Sequence, residues 1–128
     1  MPVKIITDSS CDLAPGLKEA LNIDVIPLYI NIGEQSFLDG VTITREEFYQ
    51  NLTSYTSYPK TAAPSPATFM EHYQKAANEG YTEVVSIHVS GKLSATIESA
   101  RMGANEFNTI PVHVIDSQNL SAGAGFVV

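Results

Sequence analysis

The chain predicts an α/β domain with a mostly parallel sheet and helices on both faces. Three observations point there. Short apolar runs rich in β-branched residues, at Val3–Thr7, Ile23–Ile32, Glu83–Val89 and Pro111–Asp116, read as strands. The segments between them carry helix-favouring residues and recognisable caps. Strand and helix therefore alternate, which favours parallel pairing through right-handed crossovers.

Each element has a local reason. Val3–Thr7 is the first strand, and Asp8-Ser9-Ser10-Cys11-Asp12 follows as a loop. Pro15 suits the first turn of a helix carrying Leu17, Ala20 and Leu21 on one face, with Asp12 as its cap. Ile23–Ile32 reads as one second strand, with Pro27 marking an edge or bulge because it lacks a ladder donor. Gly33–Ser36 is a turn, and Phe37-Leu38 pairs back as a hairpin. Thr44 with Glu47 is a capping box that opens a helix through Phe48, Tyr49 and Leu52. Residues 53–65 read as a long hydroxyl-rich loop with two prolines. Ser65-Pro66 pairs a cap with a first-turn proline, and the helix it opens runs to Gly80, a C′ glycine. After the strand Glu83–Val89, a helix is expected from Leu93 onward, then the strand Pro111–Asp116 and the polar turn Ser117–Ser121.

Composition narrows the function. A chain of 128 residues, 44% apolar and 16% charged, suits one globular domain. Net charge is −7 with only seven Lys and Arg, which argues against non-specific nucleic-acid binding. The single cysteine, Cys11, excludes an internal disulfide and a cysteine-built zinc site, and fits a reducing cytoplasm. No apolar run reaches membrane-spanning length. The chain closes on Leu120–Val128, an apolar stretch without a polar cap, which suggests the front part of a longer protein.

Parallel sheets hold ligands beyond the carboxyl ends of their strands. The loops there are Asp8–Asp12, Val89–Ser94 and Asp116–Ser121, and all three contain serine. In Ser90-Gly91-Lys92-Leu93-Ser94 a strand hands over to a helix, so free N–H groups and the helix dipole suit an anion there. The competing reading is that Ser90 or Ser94 merely caps the helix. A nucleophilic Ser94 lacks the hydrolase elbow, because Lys92 and Thr96 occupy its glycine positions. Ser57 and Lys60 have a serine–lysine spacing but lie in a proline loop. His72, His88 and His113 show no metal-ligand spacing, and Gly123-Ala124-Gly125 matches only the front of a dinucleotide fingerprint. An anion site of hydroxyls, with Thr61 and Ser94 as donors to a carboxylate, fits the whole chain best, although on spacing alone Thr61 reads more readily as a plain loop hydroxyl.

Four stretches carry a resemblance. They are Ile6–Leu13; Lys60-Thr61 ahead of Pro64-Ser65-Pro66; Leu93-Ser94-Ala95-Thr96 with Glu98-Ser99-Ala100; and Val114–Ser117 with Gly123-Ala124-Gly125. In this order, over nearly the whole chain, they resemble the DegV family of bacterial fatty-acid-binding proteins, which includes the lipid-carrying subunit of fatty acid kinase. The family's Ser-Gln-Pro-Ser-Pro reads Ala62-Ala63-Pro64-Ser65-Pro66 here, and Ala95 replaces the glycine of Leu-Ser-Gly-Thr. The resemblance implies that residues 1–128 are an N-terminal α/β domain whose C-terminal partner domain is absent. It implies a long-chain fatty acid whose carboxylate is held by Thr61 and Ser94; the strand-to-helix turn adds Ser90 and Gly91 as candidate supporting groups. It further implies a carrier without catalysis, cofactor or metal, whose bound acid a kinase partner phosphorylates. A fragment of this kind is expected to self-associate through the apolar face it exposes. The alternative reading is a serine esterase or acyl hydrolase using Ser94.

Overall fold

The computed structural model describes residues 2–128. In chain order the elements are β1 (Val3–Asp8), α1 (Leu17–Ala20), β2 (Asp24–Ile26), β3 (Tyr29–Ile32), β4 (Gln35–Leu38), α2 (Arg45–Asn51), β5 (Lys60–Ala62), α3 (Pro66–Asn78), β6 (Glu83–His88), α4 (Thr96–Glu106), β7 (Val112–Asp116) and α5 (Ala122–Val127). Two sheets result. The larger has the order β2-β1-β6-β7 and is parallel throughout. The smaller has the order β4-β3-β5 and is antiparallel. The expected neighbourhood of the Val3, Glu83 and Val112 strands in one parallel sheet is therefore observed, with Val3 opposite Glu83 and Val84 opposite Val112.

The expected single strand Ile23–Ile32 is two strands in different sheets. Pro27 lies between β2 and β3, and a residue without an N–H cannot continue a ladder. The expected loop 53–65 contains β5, which pairs with β3 so that Thr61 faces Ile30 and Lys60 faces Asn31. A three-residue strand held only by a non-local partner leaves no periodic trace in sequence. Asp12 does not cap α1. Gly16 precedes that helix, while Asp12 itself is left-handed (φ 49°) and its carboxylate points elsewhere. The apolar face expected on this helix is also open, since Leu17 and Leu21 are exposed.

Other local signals are realised. The Thr44 hydroxyl accepts the Glu47 N–H at 3.0 Å, and the Ser65 hydroxyl accepts that of Thr68 at 3.2 Å with Pro66 in the first turn. Gly80 has φ +92°; its N–H bonds Ala77 O at 3.1 Å and that of Tyr81 bonds Ala76 O at 3.1 Å. This paired closure ends α3.

The core joins β1, β2 and β6 to α3 and α4 through Ile6, Ile26, Val84, Phe69, Tyr73, Ala76, Ala100 and Phe107. The glycine in α4 makes this packing close. A Cβ on Gly103 would lie 2.8 Å from Pro66 O and 3.1 Å from Phe69 Cβ. Successive strand residues face opposite ways, so Val3, Ile5 and Ile115 belong to the other face. That face is covered only in part, and Val3 and Ile115 remain exposed.

Candidate functional site

The carboxyl ends of β1, β6 and β7 carry the three serine-bearing loops, and hydrogen bonds tie these loops together. Ser90 N–H bonds Asn119 O at 3.0 Å, Ser117 N–H bonds His88 O at 3.0 Å, and Ser121 N–H bonds Ser10 O at 3.0 Å. The parallel register brings these strand ends together, although Ser10, Ser90 and Ser117 are far apart in sequence.

The helix expected from Leu93 begins only at Thr96, and Leu93 is an exposed turn residue. The turn uses its own donors, so most N–H groups expected to face outward are occupied. Gly91 N–H goes to Asp116 Oδ2 (3.2 Å) and Lys92 N–H to Ser90 Oγ (3.3 Å). Leu93 and Ser94 N–H both go to Ser90 O, at 2.9 and 3.2 Å. The Asp116 carboxyl is held below its ordinary value, chiefly by the Gln118 and Gly91 N–H groups. Ser94 Oγ accepts the Thr96 N–H at 3.1 Å and lies 2.8 Å from Thr96 Oγ1. Ser90 bonds only within the turn and caps no helix, and Ala95 is the N-cap without a side-chain bond, so what remains of the expected capping is the bond from the Thr96 N–H to Ser94. It is compatible with a further donation from Ser94. If the buried Thr96 hydroxyl donates to it, Ser94 keeps its own hydrogen for another acceptor.

Thr61 stands elsewhere, on β5, where it lines a cavity of about 260 Å³. Leu28, Ile30, Phe48 and Tyr49 supply the apolar lining, and Ser9, Ser10 and Thr61 supply hydroxyls. Arg45 and Lys60 bring positive charge, opposed by Asp12 and Asp39. Ser94, Ser90 and Gly91 are not part of this lining, and no hydrogen bond joins Thr61 to Ser94. A second cavity of about 430 Å³ shares Ser9, Asp39 and Arg45 with the first. Its remaining lining includes Cys11, Leu13, Pro15, Val25, Pro27 and Val41. Cys11 is buried, and burial pushes its thiol above the ordinary value.

Sequence reasoning missed a buried polar chain beneath these loops. His88 Nδ1 lies 2.9 Å from Asp8 Oδ2, and His88 Nε2 lies 2.6 Å from Ser86 Oγ. Ser86 Oγ is 3.0 Å from the Tyr73 hydroxyl, which also reaches Ala100 O at 3.5 Å. Burial raises the Asp8 carboxyl, but hydrogen bonds from His88 and Ser10 outweigh it and hold the group below its ordinary value. Burial carries the Tyr73 hydroxyl to about 12. The Asp–His–Ser order resembles a hydrolase relay, yet Ser86 is 0% exposed and engaged by Tyr73. It has no room for an acyl substrate. The only available signal was the alternation in Ser86-Ile87-His88, which puts both polar residues on one face. Among the described residues no group of three or more His, Cys, Asp or Glu side chains is placed to hold a metal ion. Among the described residues no helix is long and apolar enough to cross a membrane.

The parallel sheet thus carries hydroxyl-bearing loops at its carboxyl end, beside cavities with apolar lining. The chain belongs to the DegV family: the model of that family, described as an uncharacterised protein family, matches residues 2–128. It is 40% identical over 126 residues to a DegV domain-containing protein of Clostridium perfringens, covering 98% of this chain and 45% of that protein. It is 38% identical over 128 residues to one of Deinococcus radiodurans, covering 100% and 45%. The chain thus spans less than half the length of these relatives. Among solved structures it resembles a fatty-acid-binding DegV protein of Thermus thermophilus (TM-score 0.86, 38% identity, 98% of this chain and 44% of that one). It also resembles a stearic acid-binding protein of Eubacterium ventriosum (TM-score 0.87, 28% identity, 99% and 45%). A third is the fatty acid kinase B3 protein of Streptococcus pneumoniae, loaded with linoleic acid (TM-score 0.75, 27% identity, 94% and 43%).

Proposed function

We propose that this domain binds a long-chain fatty acid as a non-catalytic carrier. The Thr61 and Ser94 hydroxyls donate to the carboxylate, with Ser90 in support. Gly91, named beside it from sequence, supports only indirectly, because Asp116 takes its N–H. The observation that carries this reading is Thr61 on an apolar cavity beside two cations, Arg45 and Lys60. The joined cavity with Cys11, Leu13 and Val25 offers an apolar path for the acyl chain. The bound carboxylate is then presented to a kinase partner, where a carboxylate oxygen attacks the terminal phosphorus of a nucleoside triphosphate, the bridging P–O bond breaks, and an acyl phosphate and a nucleoside diphosphate result. The names of the solved relatives, fatty-acid-binding proteins and a fatty acid kinase B protein, support this assignment. The placement is cytoplasmic, where such a kinase finds its nucleotide.

The esterase alternative receives less support. The Ser94 hydroxyl has Thr96 rather than a histidine as its partner, so no base stands ready to activate it. Titration with oleic acid separates the two. Ser94→Ala and Thr61→Ala each remove one charge-assisted bond and are expected to weaken binding by about 1.5–3 kcal/mol, roughly tenfold to a hundredfold. Wild-type affinity in both variants would overturn the head-group assignment. Hydrolysis of an acyl ester, lost in Ser94→Ala while binding persists, would establish the hydrolase instead.

A further inference from the structure

We propose that residues 29–62, comprising β3, β4, α2 and β5, are a lid over the Thr61 cavity, latched by the Arg45–Asp12 ion pair. The inference rests on the fatty-acid reading for what the lid admits, though not for whether it moves. Three observations carry it. First, the segment is a separate body: its sheet is distinct from the parallel sheet, and the chain enters it just after Pro27-Leu28 and leaves it at Ala63-Pro64. Second, it has almost no core, since Ile43 is its one buried side chain among the described residues. Segments with few buried apolar groups open at lower free energy than the body they rest on. Third, it is tied weakly. Apart from Asp39 N–H, which bonds Leu28 O at the hinge itself, the only hydrogen bond or ion pair that joins it to the other described residues is Arg45–Asp12.

The latch is well placed for control. Arg45 lines both the cavity that contains Thr61 and the one that contains Cys11. Its partner Asp12 is anchored in the frame, where its Oδ2 accepts the Ser121 hydroxyl at 2.5 Å ahead of α5. The hinge has its own tether, Ser9 Oγ accepting Leu28 N–H at 3.0 Å, so opening swings the segment and does not detach it. Thr61 rides on the lid, whereas Ser94 belongs to the frame between β6 and α4. A carboxylate gripped by both would bridge lid and frame, and its binding would hold the lid shut.

Amide hydrogen exchange on the 128-residue chain tests the motion without ligand. The amides of β3 and β5 are expected to exchange together, and faster than those of β6. Arg45→Ala is expected to accelerate them by roughly two- to fivefold, the range of an exposed ion pair, without changing β6. Arg45→Lys, which retains a cation, should give a smaller change. Arg101→Ala, which breaks an exposed pair on α4, should give none. Stopped-flow release of a fluorescent polyene fatty acid adds the functional arm, with faster release expected from Arg45→Ala. If β3 and β5 exchange as slowly as β6, or if Arg45→Ala leaves their exchange unchanged, the lid is overturned. If the exchange behaves as expected but the wild-type chain does not bind the fatty acid, the lid stands and the carrier reading falls.

Discussion

His88 shows how one residue can be expensive to bury and still stabilise the fold. Each of its ring nitrogens has a partner, and the chain continues through Ser86 to Tyr73, so no buried polar side-chain atom is left unmatched among the described residues. Deleting the middle of the chain should therefore cost more than deleting its end. Ser86→Ala leaves His88 Nε2 without its partner and the Tyr73 hydroxyl with only the 3.5 Å contact to Ala100 O, and should destabilise by about 1–3 kcal/mol in urea unfolding. Tyr73→Phe removes the terminal hydroxyl and leaves Ser86 bonded to His88, so about 1 kcal/mol is expected. Asp8 sets the pH dependence. Its folded value lies below the ordinary 3.8, so its contribution is complete above that pH and is lost as pH falls through the folded value. Asp24, held low against burial by His72 at 2.7 Å, adds to the same limb. Unfolding followed from pH 6 down to pH 2 should show stability falling below about pH 4, and Asp24→Asn should flatten that fall.

Between elements, α3 packs closely on α4, and Gly103 permits it. Alanine would normally favour a helix interior by about 1 kcal/mol. Here its Cβ would meet the Pro66 carbonyl at 2.8 Å, and backbone cannot rotate away as a side chain can. Gly103→Ala should therefore destabilise, by about 1–3 kcal/mol, despite the better propensity. Thermal unfolding checks the sign: a higher midpoint would mean that the two helices separate easily. Pro27 acts at the same scale. It ends β2 and lets β3 join another sheet, which creates the second body on which Thr61 rides.

The whole molecule shows an uneven surface. Phe126 is 91% exposed, and Leu93 and Leu120 are also exposed on loops at the carboxyl end of the parallel sheet. The hydrogen bond from Ser90 to Asn119 keeps those two loops adjacent. Apolar side chains exposed together in this way should make the chain adhesive. Sedimentation at rising concentration should show self-association, together with enhanced fluorescence of a hydrophobic dye. Phe126→Ser should reduce both. A monomeric, dye-silent wild type would mean that these side chains are harmless singly.

Local chemistry was legible in the sequence, because it needs only neighbours. Caps at Thr44 and Ser65, the C′ glycine at Gly80, and the β-branched runs of β1, β6 and β7 each act within a few residues, and their alternation dictates a parallel sheet. Thr61 and Ser94 were singled out as hydroxyls near helix starts, with family resemblance naming their role, and not from any contact visible in the chain. What tertiary structure decided depends on partners distant in sequence. β5 exists because β3 lies beside it. The Asp8–His88 pair spans two neighbouring strands, and Gly103 is required by a backbone carbonyl 37 positions earlier, at Pro66 (103 − 66). The Arg45–Asp12 tie joins two bodies that read as one continuous α/β chain. Periodicity and capping record the nearest residues only, so the lid, its latch and the buried polar chain appear only once the strands have been placed side by side.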